Sequence, residues 1–231
     1  MKRERVLTAL TGANLALLSA DRTTVLEEPL LPQNGFAPSS WLRKGEALIG
    51  HRNGDLWVYK PAVSGEKWER LTDTPAAERY PVWSPDGHWL AYASDVSGRD
   101  EIYVHAYPAV GSPVLVSTAG GTSPAWNPNG RELIYTEPIA SGSGVGPSAT
   151  FKVMSVQMTN PANPGRPQRL FDADSTVLPL GQCASTTCYS ISPDGQSFYT
   201  LRFRARDIPR VTSLRLTLNW FDEVRRLASA K

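Results

Sequence analysis

Long apolar runs are missing from this sequence. No stretch approaches the roughly 18 uninterrupted apolar residues that cross a bilayer as a helix, so no transmembrane helix is expected in it. An excess of one charge is missing too. The 24 basic and 22 acidic residues leave a net charge of +2, too little to argue for a nucleic-acid partner. Histidine is scarce: His51, His88 and His105 lack metal-ligand spacing and read as surface or satisfied polar groups. The two cysteines, Cys183 and Cys188, form neither a Cys-x-x-Cys pair nor part of a four-ligand zinc set. No Gly-x-Ser-x-Gly elbow occurs, which removes the simplest serine hydrolase. With no metal-ligand set and no cofactor motif, no cofactor is expected.

Turn formers are abundant instead. The 231 residues include 18 Gly and 19 Pro, about 16% together against an average of about 12%. They punctuate the whole chain and exclude a long-helix or coiled-coil architecture. Seven Trp and eight Tyr among so many turn residues lean towards an all-β protein. Charge is unevenly spread: from residue 200 onward eight basic residues face three acidic ones, so that end carries +5 and the remainder −3. A solvated surface explains this as readily as an anionic partner. Near the amino end, residues 1–20 have the outline of a secretory signal. Glu4 in the basic start and Thr8, Thr11, Gly12 and Asn14 in the apolar centre weaken it.

A repeat organises the chain. Trp41-Leu-Arg-Lys-Gly45, Trp83-Ser-Pro-Asp-Gly87, Trp126-Asn-Pro-Asn-Gly130 and Ile191-Ser-Pro-Asp-Gly195 are four versions of one pentapeptide, their glycines 42, 43 and 65 residues apart. Loop-like insertions around Ser141–Ser148 and Gly181–Cys188 account for the long gap. A period near 42 matches the roughly 40–45 residues of a four-stranded propeller blade. The turns are built from Ser84, Pro85, Asp86 and Gly87, then Asn127, Pro128, Asn129 and Gly130, then Ser192, Pro193, Asp194 and Gly195. Proline presets φ, Asp or Asn tolerates the next position, and Gly supplies a positive φ without a side-chain clash. The reading is a single all-β domain over 1–231. Antiparallel blades are expected at 38–74, 80–118, 122–173 and 188–220, four-stranded except for the last, which lacks an outer strand after Trp220, with the fourth strand of the second blade at Val114–Thr118. Residues 1–30 supply a partial blade or closing strands at Asn14–Ala20 and Thr24–Leu30. Phe221, Val224 and Leu227, three apart, make 221–231 a short amphipathic helix.

The stretch Tyr80–Val104, containing Trp83-Ser-Pro-Asp-Gly87, resembles the WD-repeat-like repeat of TolB-class β-propellers. Gly120–Tyr135, Arg169-Leu-Phe171, Tyr189–Gly195 and Leu216–Leu227 follow in an order similar to one recurring tail. That tail closes the propeller at the carboxyl end of many bacterial serine/threonine protein kinases and of some free-standing TolB-like proteins. The resemblance covers roughly 14–228 and implies a propeller that binds a protein or peptide, as a sensory or scaffolding module, outside the cytoplasm. It also leaves open a periplasmic TolB-like envelope component, or the propeller portion of a peptidase or lyase. His-Arg-Asp, Asp-Phe-Gly and a Gly-rich phosphate loop are all absent, so no kinase catalysis is expected of this chain; Gly142–Gly146 reads as a flexible insertion.

Two local features stand outside the repeat. Arg202, Arg204 and Arg206 alternate and share one face if their strand continues, which makes them a candidate anion-binding rim, or salt-bridged surface arginines. Acidic pairs such as Glu27-Glu28 and Asp172/Asp174 fall in outer strands or loops, and catalysis would need two acids converging across a cleft, which spacing along the chain does not show. Ring closure is expected through pairing of an amino-terminal strand with Leu214–Trp220, leaving a compact disc; an open arc is the alternative. Cys183 and Cys188 can close a small disulfide ring, which would imply an oxidising compartment, or stand as two thiols. Thiol titration of the denatured chain separates these. A disulfide yields two thiols only after reductant, and free cysteines yield both without it.

Overall fold

The computed structural model describes residues 5–10, 14–19, 25–27, 35–42, 46–60, 68–108, 110–139, 150–174, 187 and 189–200. Every regular element among them is a strand. The first three, β1 (Arg5–Leu10), β2 (Asn14–Ser19) and β3 (Val25–Glu27), form a three-stranded antiparallel sheet in the order β1-β2-β3. Three four-stranded antiparallel sheets follow. They comprise β4 (Ala37–Trp41), β5 (Leu48–Arg52), β6 (Asp55–Tyr59) and β7 (Trp68–Arg70), then β8 (Glu78–Trp83), β9 (Trp89–Ser94), β10 (Glu101–Ala106) and β11 (Val110–Leu115), then β12 (Thr122–Trp126), β13 (Glu132–Pro138), β14 (Thr150–Gln157) and β15 (Gln168–Asp174). A final hairpin joins β16 (Tyr189–Ile191) and β17 (Phe198–Thr200). Within each sheet the strands lie side by side in chain order, as short turns between antiparallel neighbours require.

The central strands show little solvent-facing alternation. In β9 five of six residues are buried, and in β13 five of seven. Both faces of these sheets are covered, which calls for apolar side chains at nearly every position. The period of two survives in which neighbour each residue meets. Leu90 and Tyr92 of β9 pack with Ile49, Leu56 and Val58 of the preceding sheet. Ala91 and Ala93 of the same strand pack with Trp126, Leu133 and Tyr135 of the following one. In β13, Ile134 turns the other way and joins Phe151, Val153 and Tyr189. Three apolar seams thus hold four consecutive sheets face to face. The outermost strands face water, and β15 carries no fully buried residue.

The first strands lie innermost: β8 lies beside β4 and β12, and β12 beside β16. The register of β4, β8 and β12 against their partners slips between Pro38 and Ser40, Arg79 and Val82, and Thr122 and Ala125. At the second and third slips Tyr80 and Ser123, each followed by proline, take φ of 56° and 54°. Such bulges increase local twist and re-aim the strand end.

Two expectations need correction. The outer strand of the second four-stranded sheet is Val110–Leu115, earlier in the chain than Val114–Thr118. It contains Pro113, which an edge strand accepts because one side of its backbone needs no ladder donor. Residues 5–10, inside the signal-like stretch, pair with β2, whose other edge is taken by β3. Asn14–Ser19 therefore has no free edge for ring closure, whereas Val25–Glu27, within the other expected closing strand Thr24–Leu30, is paired on one edge only among the described residues. Leu214–Trp220 and the expected helix 221–231 lie outside the described residues.

Gly121 gives the packing a direct test. A Cβ there would stand 2.6 Å from Ile102 Cγ1 and 3.1 Å from Tyr135 Cδ2, both in a filled seam. Gly121→Ala is expected to lower stability by about 1–3 kcal/mol through overpacking, measured by urea unfolding.

Candidate functional site

The repeated pentapeptide forms the same turn wherever it is described. Gly87, Gly130 and Gly195 take φ of 79°, 72° and 75°, a region that costs an L side chain strain and a glycine none. Each donates its backbone N–H to the carbonyl three residues back, at Ser84, Asn127 and Ser192. Side chains repeat as well. Ser84 Oγ donates to Asp86 Oδ1 and accepts from Trp89 N, while Asp86 Oδ1 accepts from His88 N. Ser192 and Asp194 repeat these bonds with Ser197 N and Gln196 N. In the third repeat Asn127 Oδ1 accepts from Asn129 N, and Asn129 Oδ1 from Arg131 N. Burial works to raise the Asp86 carboxyl, and its bonds from Ser84 and His88 outweigh that, leaving it below the usual carboxylate range. The bond from Ser192, with that from Gln196 N, lowers Asp194 likewise.

These turns meet at one end of the sheets. A Cβ on Gly87 would lie 2.6 Å from Leu42 Cδ1, one on Gly130 4.0 Å from Pro85, and one on Gly195 2.7 Å from Asn127 Oδ1. Each turn therefore rests on the turn before it.

Beside them the four innermost strands enclose a hollow of about 390 Å³. Its wall is made by Ser39 of β4, by Val82, Trp83 and Pro85, by Pro124, Ala125, Trp126 and Pro128, and by Thr187 and Tyr189–Ile191. The bulges that follow Tyr80 and Ser123 aim these strand ends towards it. Tyr189 closes the floor, its hydroxyl donating to Ser123 O at 2.8 Å, and burial pushes that phenol well above the ordinary tyrosine value. The indole N–H groups of Trp83 and Trp126 have no hydrogen-bond partner among the described residues. Among the described residues the wall carries no carboxylate, imidazole, thiol, amine or guanidinium.

The other sequence candidates among the described residues are not gathered there. His51 is half-buried, with burial and then Arg79 pulling its pKa below 6.5, and His105 Nε2 meets Gly111 O at 3.0 Å. Asp172 pairs with Arg169 on the outer strand β15. No three His, Cys, Asp or Glu side chains among the described residues converge as a metal site. Cys183, Cys188, Arg202, Arg204, Arg206 and Gly142–Gly146 lie outside the described residues. Sequence reading missed the buried acids Asp55, Glu78, Glu101 and Glu137. The signal for Glu78 was its place in the repeat, where the next repeat has Gly121.

No family model matches the chain. A curated TolB homolog from Chlorobaculum tepidum is 32% identical over 90 residues, which take in 38% of this chain and 20% of that protein. The matched stretch thus spans about a fifth of the relative's length. Among solved structures, a candidate TolB from Agrobacterium tumefaciens superposes with a TM-score of 0.63 at 19% identity, over 87% of this chain and 70% of that one. An oligogalacturonate lyase in complex with manganese gives 0.59 at 12% identity, over 88% and 57%. The fold is TolB-like, all-β with repeated sheets of four antiparallel strands.

Ser84→Ala removes an acceptor from Trp89 N and a donor to Asp86, and is expected to cost about 1–2 kcal/mol at neutral pH by urea unfolding. Asp86 is lowered in the fold, so its contribution is present above about pH 3.8 and fades as pH falls through the folded value. The gap between wild type and variant should narrow below that point.

Proposed function

We propose that the chain is a non-catalytic β-propeller module that binds another protein, taking an extended segment of it into the hollow where the innermost strands meet. The lining carries this reading. Pro85, Pro124 and Pro128 give stiff walls, Trp83 and Trp126 give apolar area, and Ser39, Thr187 and Ser190 offer hydroxyls. Acid–base, nucleophilic and metal-assisted chemistry each need a titratable or ligating group at the reacting atom, and among the described residues this wall supplies only the Tyr189 phenol, raised by burial and bonded to Ser123 O. A hydroxyl without a neighbouring base stays a weak nucleophile.

As a sensory or scaffolding domain of the kind linked to bacterial kinases, the module would work outside the cytoplasm and report the bound segment to a neighbouring domain. A second reading, an envelope-complex component, is favoured by the similarity to TolB proteins in both sequence and fold. Both use the same surface and the same class of partner. The fold shared with a lyase makes an enzymatic propeller the alternative of a different class, and the uncharged side chains that line the hollow among the described residues argue against it.

Selection of peptides from a random display library against the immobilised protein tests the reading. Selected peptides are expected to lose at least about tenfold in affinity for Ser190→Trp, which fills the hollow from an exposed position, with the melting temperature unchanged. Peptides indifferent to that substitution, or robust turnover in a hydrolase and lyase screen, would overturn it.

A further inference from the structure

A second hollow, of about 400 Å³, lies where the second and third four-stranded sheets meet, and it shares Trp126 with the first. Trp89, Trp126 and Met158 give it an apolar wall, and Asp86 and Arg131 border it as exposed charges. Among the described residues neither indole meets another ring. Neither charge enters an ion pair among them. The Asp86 carboxylate is nevertheless held in place, because its Oδ1 accepts from Ser84 Oγ and from His88 N.

The preceding seam shows what fills such a place. Met158 N donates to Arg131 O as Tyr107 N donates to His88 O, at 2.7 and 2.8 Å, so Met158 and Tyr107 hold the same position in successive sheets. Trp126 and Trp83 likewise open equivalent turns. Tyr107 sets its ring against Trp83, with centroids 4.5 Å apart and planes at 66°, the edge-to-face arrangement that aromatic pairs favour. Met158 puts a slim thioether in that position, and Trp126 has no ring against it. On the facing sheet the exchange runs the other way. Trp89 O accepts from Ser84 N as Ala47 O accepts from Leu42 N, so a second indole stands where the first seam has a methyl group. The second hollow is thus bounded by two indoles, and the ring that the first seam carries is absent from it.

We propose that this second hollow is a binding site for a free aromatic α-amino acid, whose ring stands against Trp126 as Tyr107 stands against Trp83, with its carboxylate on Arg131 and its ammonium on Asp86. The volume falls in the range of small-ligand sites, roughly 300–1,000 Å³. Ring against ring contributes beyond the area buried, and a guanidinium forks onto a carboxylate through charge-assisted bonds. The two unpaired charges favour a zwitterion. A purely cationic ligand would face Arg131 with like charge, and a purely anionic one would face Asp86 so. This site stands apart from the peptide-binding hollow proposed above and needs no occupant there.

Tryptophan fluorescence of the full chain, titrated with L-phenylalanine, reads the site, because that ligand is dark at wavelengths that excite tryptophan alone. Saturation with a Kd of about 1 mM or tighter is expected. N-acetyl-L-phenylalaninamide has the same ring without either charge and should bind at least about tenfold more weakly. No saturation by the free amino acid, or equal affinity for the two ligands, would overturn the proposal. Met158→Tyr gives the second seam the residue that the first already holds, and is expected to fill the hollow and abolish the response. Arg131→Ala, at an exposed position, keeps the test open should that variant not fold, and a loss of about tenfold is expected from it. Unchanged affinity in either variant overturns the placement of the ligand. Ser190→Trp, which fills the first hollow, should leave phenylalanine binding as it is, so the two sites stand or fall separately, and loss of binding there also counts against this one.

Discussion

Burial of both faces of each middle strand is the constraint on which the rest of the structure depends. β9 sends Leu90 and Tyr92 into one seam and Ala91 and Ala93 into the next, so neither face can carry charge. Four strands of this kind cannot stand alone. Each sheet needs a neighbour on both sides, and the same pentapeptide recurs because the same junction must be made each time. The turn glycines follow from this: each turn rests on the one before it, and a side chain at Gly87 would run into Leu42.

Where polar groups enter a seam, they do so at strand ends and in sets. Glu101, Ser117 and the N–H of Gly120 form one closed set, and Glu132, Asn127 and Ser155 another. Inside an apolar seam a carboxylate with an unmet oxygen costs more than the bond it lacks. That asymmetry makes Asp55 Oδ1 and Glu78 Oε2, buried without a partner among the described residues, the exceptions at these junctions. It also separates the two ends of the fold chemically. Acids and hydroxyls collect where β6, β8 and β10 begin, and prolines and tryptophans where β8 and β12 end.

The hollow is a consequence of packing first strands against one another while their ends bend away. Bulges at Tyr80 and Ser123 turn Val82, Trp83, Ala125 and Trp126 towards a common space. The tryptophans of the repeat therefore serve twice. Trp83 belongs to the first seam and Trp126 to the second, and both also line the hollow. Binding at this place would exploit side chains that the fold already holds in position.

Much of this was legible in the residues alone. The 42-residue spacing, the Ser-Pro-Asp-Gly turns and the runs between them determine an all-β chain of repeating antiparallel sheets, because local turn geometry and strand propensity act within a few residues. The outer strand at Val110–Leu115 was misplaced because Pro113 argues against a strand unless that strand is known to be an edge. Glu78 was passed over because one acidic residue ahead of a strand looks like any solvated charge. Only the tertiary structure decided that Glu78 and Asp55 are buried, that Ala77 N serves Asp95, and that four strands far apart in the chain line one hollow. Those outcomes depend on which sheet covers which, a long-range arrangement of packed faces that no short stretch of sequence encodes.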